Sequence, residues 1–233
     1  MSIVAIFACV CLIGIVVPHR RRVHVAELPR DLELLDSVFW EPGDTDSLRE
    51  LISTSPKLIS GKSVLDIGTG SGLVALCCCQ FGAAEVTATD VNPAAIECAQ
   101  RNAKRMGFQI DTKLVPVDGK HTSAFSVFDS TKRFDLIVSN PPWEDGKPKQ
   151  WSDYALYDPE FQLLDSIMRE GKSRLNPGGK ILLAYGCVDA IRHVNRLAEE
   201  LQYDVVVFDD RDLDGLPPLF LPGMLLGLVP KAL

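Results

Sequence analysis

The run Ser63–Ile67 (SVLDI) passes directly into Gly68-Thr69-Gly70-Ser71-Gly72. A short apolar run ending in closely spaced glycines predicts a buried strand that turns tightly into a helix. Glycine permits the turn and lets the backbone approach a ligand, with the next helix's N–H groups pointing at it. The same loop serves dinucleotide folds and plain tight turns, so it selects a fold and not a ligand. Residues 86–90 (VTATD), 113–117, 134–139 (FDLIVS), 180–185 (KILLAY) and 204–208 (DVVVF) are further apolar runs bounded by Gly, Pro, Asp or Asn, as buried parallel strands are. Helical patterns lie between them. In residues 94–106, Ile96, Ala99, Ala103 and Met106 share a face, with Asn92 as N-cap, Pro93 in the first turn and Gly107 as the stop. Residues 189–201 repeat the logic with Ile191, Val194, Ala198 and Leu201, leaving His193 off the stripe as a solvated surface residue. Residues 161–175 form another helix, stopped by Asn176-Pro177-Gly178-Gly179. The alternation predicts a doubly wound α/β sheet with helices on both faces, whose ligands bind beyond the carboxyl ends of the strands.

At 233 residues, 46% of them hydrophobic, the chain is one domain plus an appendage. The appendage is the N-terminus: residues 3–17 are uncharged, and Pro18, His19 and Arg20-Arg21-Arg22 follow. Fifteen helical residues span about 22 Å against a hydrocarbon core of about 30 Å, a marginal crossing. A secretory signal would place its positive charge before the apolar run, whereas an Arg cluster after it holds the body in the cytosol. Residues 1–22 are therefore expected to be an anchor in the endoplasmic reticulum or outer mitochondrial membrane. A buried N-terminal helix or a misassigned start, with a cytoplasmic protein, is the alternative. Residues 23–60 would be a helical lead-in and residues 61–233 the catalytic domain. Beyond residue 22 the chain carries 21 basic and 31 acidic side chains, a balance of −10, which does not draw in a phosphate backbone. Seven cysteines without a CxxC pair give neither a disulfide framework nor a metal site. Cys77-Cys78-Cys79 fall in a helix apolar all round and read as small core residues.

At the predicted ligand edge, Asp66 stands two residues before the first loop glycine, where a carboxylate suits a cationic ligand and would repel a pyrophosphate. Asp90 ends the second strand, where a carboxylate can accept from both ribose hydroxyls. VLDIGTGSG, TDVNPAAIECAQRNAKRMG, SNPPW and LNPGGKILL, in that order, resemble the class I S-adenosylmethionine-dependent methyltransferases with an N-P-P-aromatic motif. Glu41-Pro42-Gly43-Asp44-Thr45 followed by Leu48 makes the chain most similar to the HemK-type protein glutamine N5-methyltransferases. The resemblance spans residues 38–230. It implies a Rossmann-like, seven-stranded, mostly parallel sheet whose last strand, residues 224–229, is antiparallel. It also implies S-adenosylmethionine held by Asp66, Gly68, Thr69, Gly70, Gly72, Asp90, Val91, Asn140 and Thr45, with Asp118 meeting the adenine amino group.

Asn140-Pro141-Pro142-Trp143 is the chemical site of this reading. An amide or aromatic amino nitrogen is a poor nucleophile because its lone pair is delocalised. Two acceptors aimed at its N–H bonds hold it in line with the methyl group and stabilise the charge that grows on it. The Asn140 side-chain oxygen and the Pro141 carbonyl supply them, Pro141 and Pro142 stiffen the turn, and Trp143 offers a face for a planar group. Trp stands where the family has Tyr or Phe. Residues 144–157, with Lys147, Lys149, Trp151, Tyr154 and Tyr157, suit a peptide or a base, or form a solvated loop. Residues 209–215 read as a solvated acidic hairpin. The expected function is N-methylation of a side-chain amide of a protein. Methylation of a nucleic-acid base and an inactive cofactor-binding scaffold are the alternatives, and the need for an activating partner stays open.

Overall fold

The computed structural model describes residues 21–117 and 123–231. Two short strands, β1 (Arg21–Val23) and β2 (Leu32–Leu34), pair antiparallel. A 3-10 turn over Pro42–Thr45 leads into α1 (Asp46–Thr54) and α2 (Pro56–Ile59). The main body then runs β3 (Ser63–Ile67), α3 (Leu73–Gln80), β4 (Glu85–Asp90), α4 (Pro93–Met106), β5 (Asp111–Leu114) and β6 (Phe134–Ser139). It ends with α5 (Gln162–Arg174), β7 (Leu175–Cys187), α6 (Val188–Leu201), β8 (Tyr203–Val207) and β9 (Leu219–Pro230). Seven strands form one sheet in the order β5-β4-β3-β6-β7-β9-β8. β9 is antiparallel to both neighbours and the other pairings are parallel, as the resemblance implies.

The period-2 alternation of the central strands assigns each residue to one of two cores. Leu65, Ile67, Ile137, Ile181 and Leu183 face α5 and α6, while Val64, Leu136, Val138 and Leu182 face α1 and α3. Both faces are covered, so the central strands read as continuous apolar runs. Cys77 and Cys78 are fully buried in α3, and burial pushes the Cys77 thiol up to about 12.

Several expectations shift. Residues 1–20, which carry most of the expected anchor, lie outside the described residues. Arg21 and Arg22 belong to β1, so the lead-in starts as a β-ribbon and turns helical only after residue 42. The ribbon is fastened to α4 by buried Asn102, whose Oδ1 accepts from Glu33 N (2.8 Å) while Nδ2 donates to Glu33 O and Ser71 O (both 2.9 Å). Among the described residues no helix is long and apolar enough to cross a membrane.

β5 lies at residues 111–114, because an edge strand with half-exposed side chains lacks the apolar run by which buried strands are recognised. β8 is the other edge, with Val206 and Val207 exposed. The Asn-Pro-Gly-Gly segment does not merely stop a helix but lies within β7. There Leu175 pairs with Phe134, a bulge follows, and Asn176 Nδ2 donates to Asp135 Oδ1 (3.0 Å). His193 is not a free surface side chain. Its Nε2 sits 2.7 Å from Asp165 Oδ1 and its ring stacks on Phe161. The acidic segment 209–215 is likewise pinned, since Arg211 pairs with Asp209, lies over the Phe220 ring and donates to Pro222 O.

Candidate functional site

Strand order reverses between β3 and β6, and the loops leaving β3, β4 and β6 meet at that carboxyl edge. A pocket opens there, bordered by residues 66–71, Asp90-Val91-Asn92, Thr45, Asn140 and Pro142, with Trp40, Trp151 and Tyr154 as aromatic wall. The loop glycines have positive φ: 75° at Gly68, 54° at Gly70 and 85° at Gly72. A Cβ on Gly68 or Gly70 would meet nothing within 4 Å, so their backbone faces open space. Gly72 does not border the pocket. It begins α3, where a Cβ would come within 3.0 Å of Ala99 on α4. Asp118 lies outside the described residues.

The two expected carboxylates organise the loop as well as facing the pocket. Asp66, 2% exposed, accepts at Oδ2 from Thr69 Oγ1 (2.7 Å) and Ala75 N (3.2 Å). Asp90 accepts from Gly70 N (2.9 Å) and from Asn92 N (2.8 Å). Asn92 caps α4 by accepting from Ala94 N (3.0 Å). Burial pushes the Asp66 carboxyl up to about 7 against those hydrogen bonds, and raises Asp90 as well. A buried carboxylate raised by desolvation regains its charge when a cation is brought beside it. The pocket thus combines open glycine backbone with carboxylates that gain from a positively charged ligand.

β6 is tied to β3 by Ser139 Oγ donating to Ile67 O (2.8 Å), and Asn140 follows at once. Asn140 borders the first pocket and also a second one on its other side. Pro141, Trp143, Asp44 and Leu219–Leu221 wall the second pocket. Trp143 Nε1–H donates to Asn140 Oδ1 (3.1 Å). The Trp143 ring is not a free plate: it packs on Gly186, where any Cβ would run into it. Thr45 is buried between Pro42 O, to which its hydroxyl donates (3.3 Å), and Arg49 Nε, from which it accepts (3.3 Å). Buried Arg49 also binds Glu27 and Asp46 and donates to Pro42 O (3.2 Å), fastening the Pro42–Thr45 turn to the site.

Sequence reasoning did not single out Asp44 or the Phe39-Trp40 wall. Asp44 is 5% exposed, burial and the Glu41 charge push its carboxyl up to about 6, and it borders the second pocket together with Asn140. The signal was available in Glu41-Pro42-Gly43-Asp44-Thr45, whose role depends on folding back onto the far end of the sheet. Trp151 and Tyr154, expected to grip a substrate, border the first pocket instead.

A seven-stranded sheet of this order, with a glycine loop, paired carboxylates and an Asn-Pro-Pro-Trp loop at its reversal point, defines a Rossmann-like methyltransferase fold. The family model for the methyltransferase small domain matches residues 43–207, and the chain belongs to that family. It is an S-adenosylmethionine-dependent methyltransferase.

The chain is 28% identical over 203 residues to the release factor glutamine methyltransferase of Koribacter versatilis, covering 81% of this chain and 68% of that protein. It is 48% identical over 122 residues to the ribosomal protein L11 methyltransferase of Symbiobacterium thermophilum, covering 52% and 31%. Among solved structures, the T. thermophilus 16S rRNA N2 G1207 methyltransferase in complex with AdoMet and guanosine superposes with a TM-score of 0.64 at 20% identity, covering 91% and 50%. The chain spans about half the length of most of the curated relatives it matches.

Proposed function

We propose that the protein transfers a methyl group to the side-chain amide nitrogen of a glutamine in a protein. The observation that carries this reading is Asn140, which stands between the two pockets with an acceptor oxygen on its side chain and the Pro141 carbonyl beside it. Relatives named release factor glutamine methyltransferase support the same acceptor.

S-adenosylmethionine, when bound, supplies a methyl group on a positively charged sulfur. Asp66 would set a carboxylate beside its cationic end, Asp90 would accept from the ribose hydroxyls, and the Gly68–Gly70 backbone, Val91 and Thr45 would border the rest. Asn140 Oδ1 and the Pro141 carbonyl accept the two N–H bonds of the acceptor amide, which fixes its nitrogen in line and offsets the positive charge that develops there. The acceptor nitrogen would take the methyl group while the electron pair of the broken sulfur–methyl bond stays on sulfur, and the nitrogen then gives one proton to solvent, so no separate base is required.

The second pocket's surroundings favour a polypeptide. Phe39, Leu156, Leu219 and Leu221 are exposed on its border, Glu41 and Glu144 stand among them, and among the described residues no Lys or Arg lines it. An apolar, acidic mouth suits a protein loop and repels phosphates. The apolar run at residues 3–17 supports, as a separate proposal, attachment of the N-terminus to a membrane; carbonate extraction of the full chain tests it. The acceptor is tested by incubating the protein with radiolabelled S-adenosylmethionine and cell extract. Label removed by protease and untouched by ribonuclease is expected; label removed only by ribonuclease would point to a nucleic-acid base.

A further inference from the structure

Trp143 meets the site from one side only. It borders the second pocket with Asn140 and Pro141, and it does not border the first. Two contacts fix its ring. At the outer end, a Cβ on Gly186 would fall 2.3 Å from Trp143 Cζ3 and 2.4 Å from Cη2, so the six-membered edge lies directly over glycine backbone. Gly186 stands where the pairing of β7 with β9 breaks, between Tyr185–Met224 and Cys187–Leu219. At the inner end, Nε1–H donates to Asn140 Oδ1 (3.1 Å). Between these ends the ring packs against the core that faces α5 and α6.

We propose that Trp143 is a positioning residue: seated on Gly186, it uses its indole N–H to hold the Asn140 amide so that Oδ1, and not Nδ2, is presented to the second pocket. This rests on the amide-methylating reading of Asn140, and it gives Trp143 a task other than that of a stacking plate. An indole N–H can only donate, and a carbonyl oxygen has two lone pairs. The indole occupies one and leaves the other for an N–H of the acceptor amide. Turning the Asn140 amide over would set its NH2 against the indole N–H, donor against donor. It would also offer donors to an acceptor nitrogen that needs acceptors. A part-buried donor left unpaired is costly, so the indole selects one of two orientations that are almost equal in shape.

The contact belongs to the indole. A phenylalanine ring has no donor, and a tyrosine carries its hydroxyl at the far end of the ring. Gly186 supplies the other half of the device, because any side chain there would push the ring off its seat and carry Nε1 away from Asn140. Since Trp143 lies on the second pocket alone, loss of its N–H should slow transfer and spare cofactor binding.

The experiment separates the N–H from the bulk of the ring. β-(3-Benzothienyl)alanine, inserted in place of Trp143 in the full chain, exchanges the N–H for sulfur at nearly the same shape. Transfer of protease-sensitive label from S-adenosylmethionine to cell extract is measured at saturating cofactor. The isostere should slow it by roughly ten- to a hundredfold with cofactor KM within about twofold, and tryptophan reinserted by the same route should restore it. A second readout needs no substrate. In the 15N-labelled full chain the Trp143 indole signal is assigned by its loss in Trp143→Phe. Its proton should exchange with deuterium about tenfold or more slowly than the same proton in Asn140→Ala. An isostere as active as the unmodified chain, or an indole proton that exchanges equally fast with and without the Asn140 side chain, would overturn the proposal. Loss of cofactor binding together with the rate would make Trp143 merely structural and overturn it as well. If Asn140→Ala abolishes turnover while the isostere does not, the positioning role fails and the amide reading stands. If Asn140→Ala turns over normally, the amide reading fails and the positioning role with it.

Discussion

Asn140 and Asp66 both border the first pocket, and substitutions separate their proposed tasks. Asn140→Ala should leave cofactor affinity unchanged and abolish turnover; calorimetry against S-adenosylhomocysteine beside a rate assay checks both halves. Asp90→Ala removes hydrogen bonds from a charged acceptor, about 1.5–3 kcal/mol, and should weaken cofactor binding about tenfold or more. At Asp66 the sign follows from linkage. Its folded-state carboxyl titrates near 7, above its ordinary 3.8, so below 7 it is protonated and a cationic ligand must first expel the proton. Cofactor affinity should therefore rise with pH up to about 7 and level off above it. Fold stability moves the other way, falling from pH 3.8 toward 7 as the ionised form is left buried. Titration calorimetry from pH 5.5 to 8.5 checks the affinity slope, which Asp66→Asn should abolish. Asp66 and Asp90 were legible from position alone, one before the glycines and one at a strand end. The place of Asp44 on the second pocket and the partner of the Trp143 indole were not, because the first joins segments far apart in the chain and the second bends a side chain back on its own loop.

Elements show the same division. Two central strands, Ser63–Ile67 and Phe134–Ser139, were readable to the residue because burial on both faces forces continuous apolar runs, whereas β7 extends well beyond the expected 180–185, to Leu175–Cys187. β5 slipped from the expected 113–117 to Asp111–Leu114 and β8 from 204–208 to Tyr203–Val207, since an edge strand has one side facing water and a weaker pattern. β1 and β2 are three residues each and owe their existence to Asn102 rather than to any periodicity. Gly72, read as part of the cofactor loop, also lets α3 and α4 approach each other closely. Gly72→Ala combines a positive φ with overlap at Ala99, and should cost about 1–3 kcal/mol, measured as a lowered urea midpoint with an unchanged slope. Arg49→Met leaves half-buried Glu27 without its partner and frees the Pro42–Thr45 turn. It should cost about 3 kcal/mol and lower turnover as well, because the turn carries Thr45 and Asp44.

For the whole molecule, the seven-stranded sheet and the antiparallel β9 came from resemblance, and the strand order only from the structure, because apolar patterning cannot say which strands are neighbours. The segment 209–215 and His193 were expected in solvent because acidic and polar residues default there; tertiary contacts to Phe220 and Asp165 claimed them instead. A chain beginning at Arg21 keeps every described element and should bind cofactor as the full chain does. The acidic balance predicts that activity falls only modestly between 50 and 200 mM salt, whereas an enzyme gripping six to ten phosphates would lose about 10³–10⁵ in affinity. The most direct measurement identifies the methylated atom. A protein acceptor incubated with enzyme and isotopically methyl-labelled S-adenosylmethionine is digested and sequenced by mass spectrometry. The label is expected on the side-chain nitrogen of a glutamine, and absent when the enzyme is Asn140→Ala. Label on a nucleobase, or on protein in equal amount with Asn140→Ala, would contradict the account.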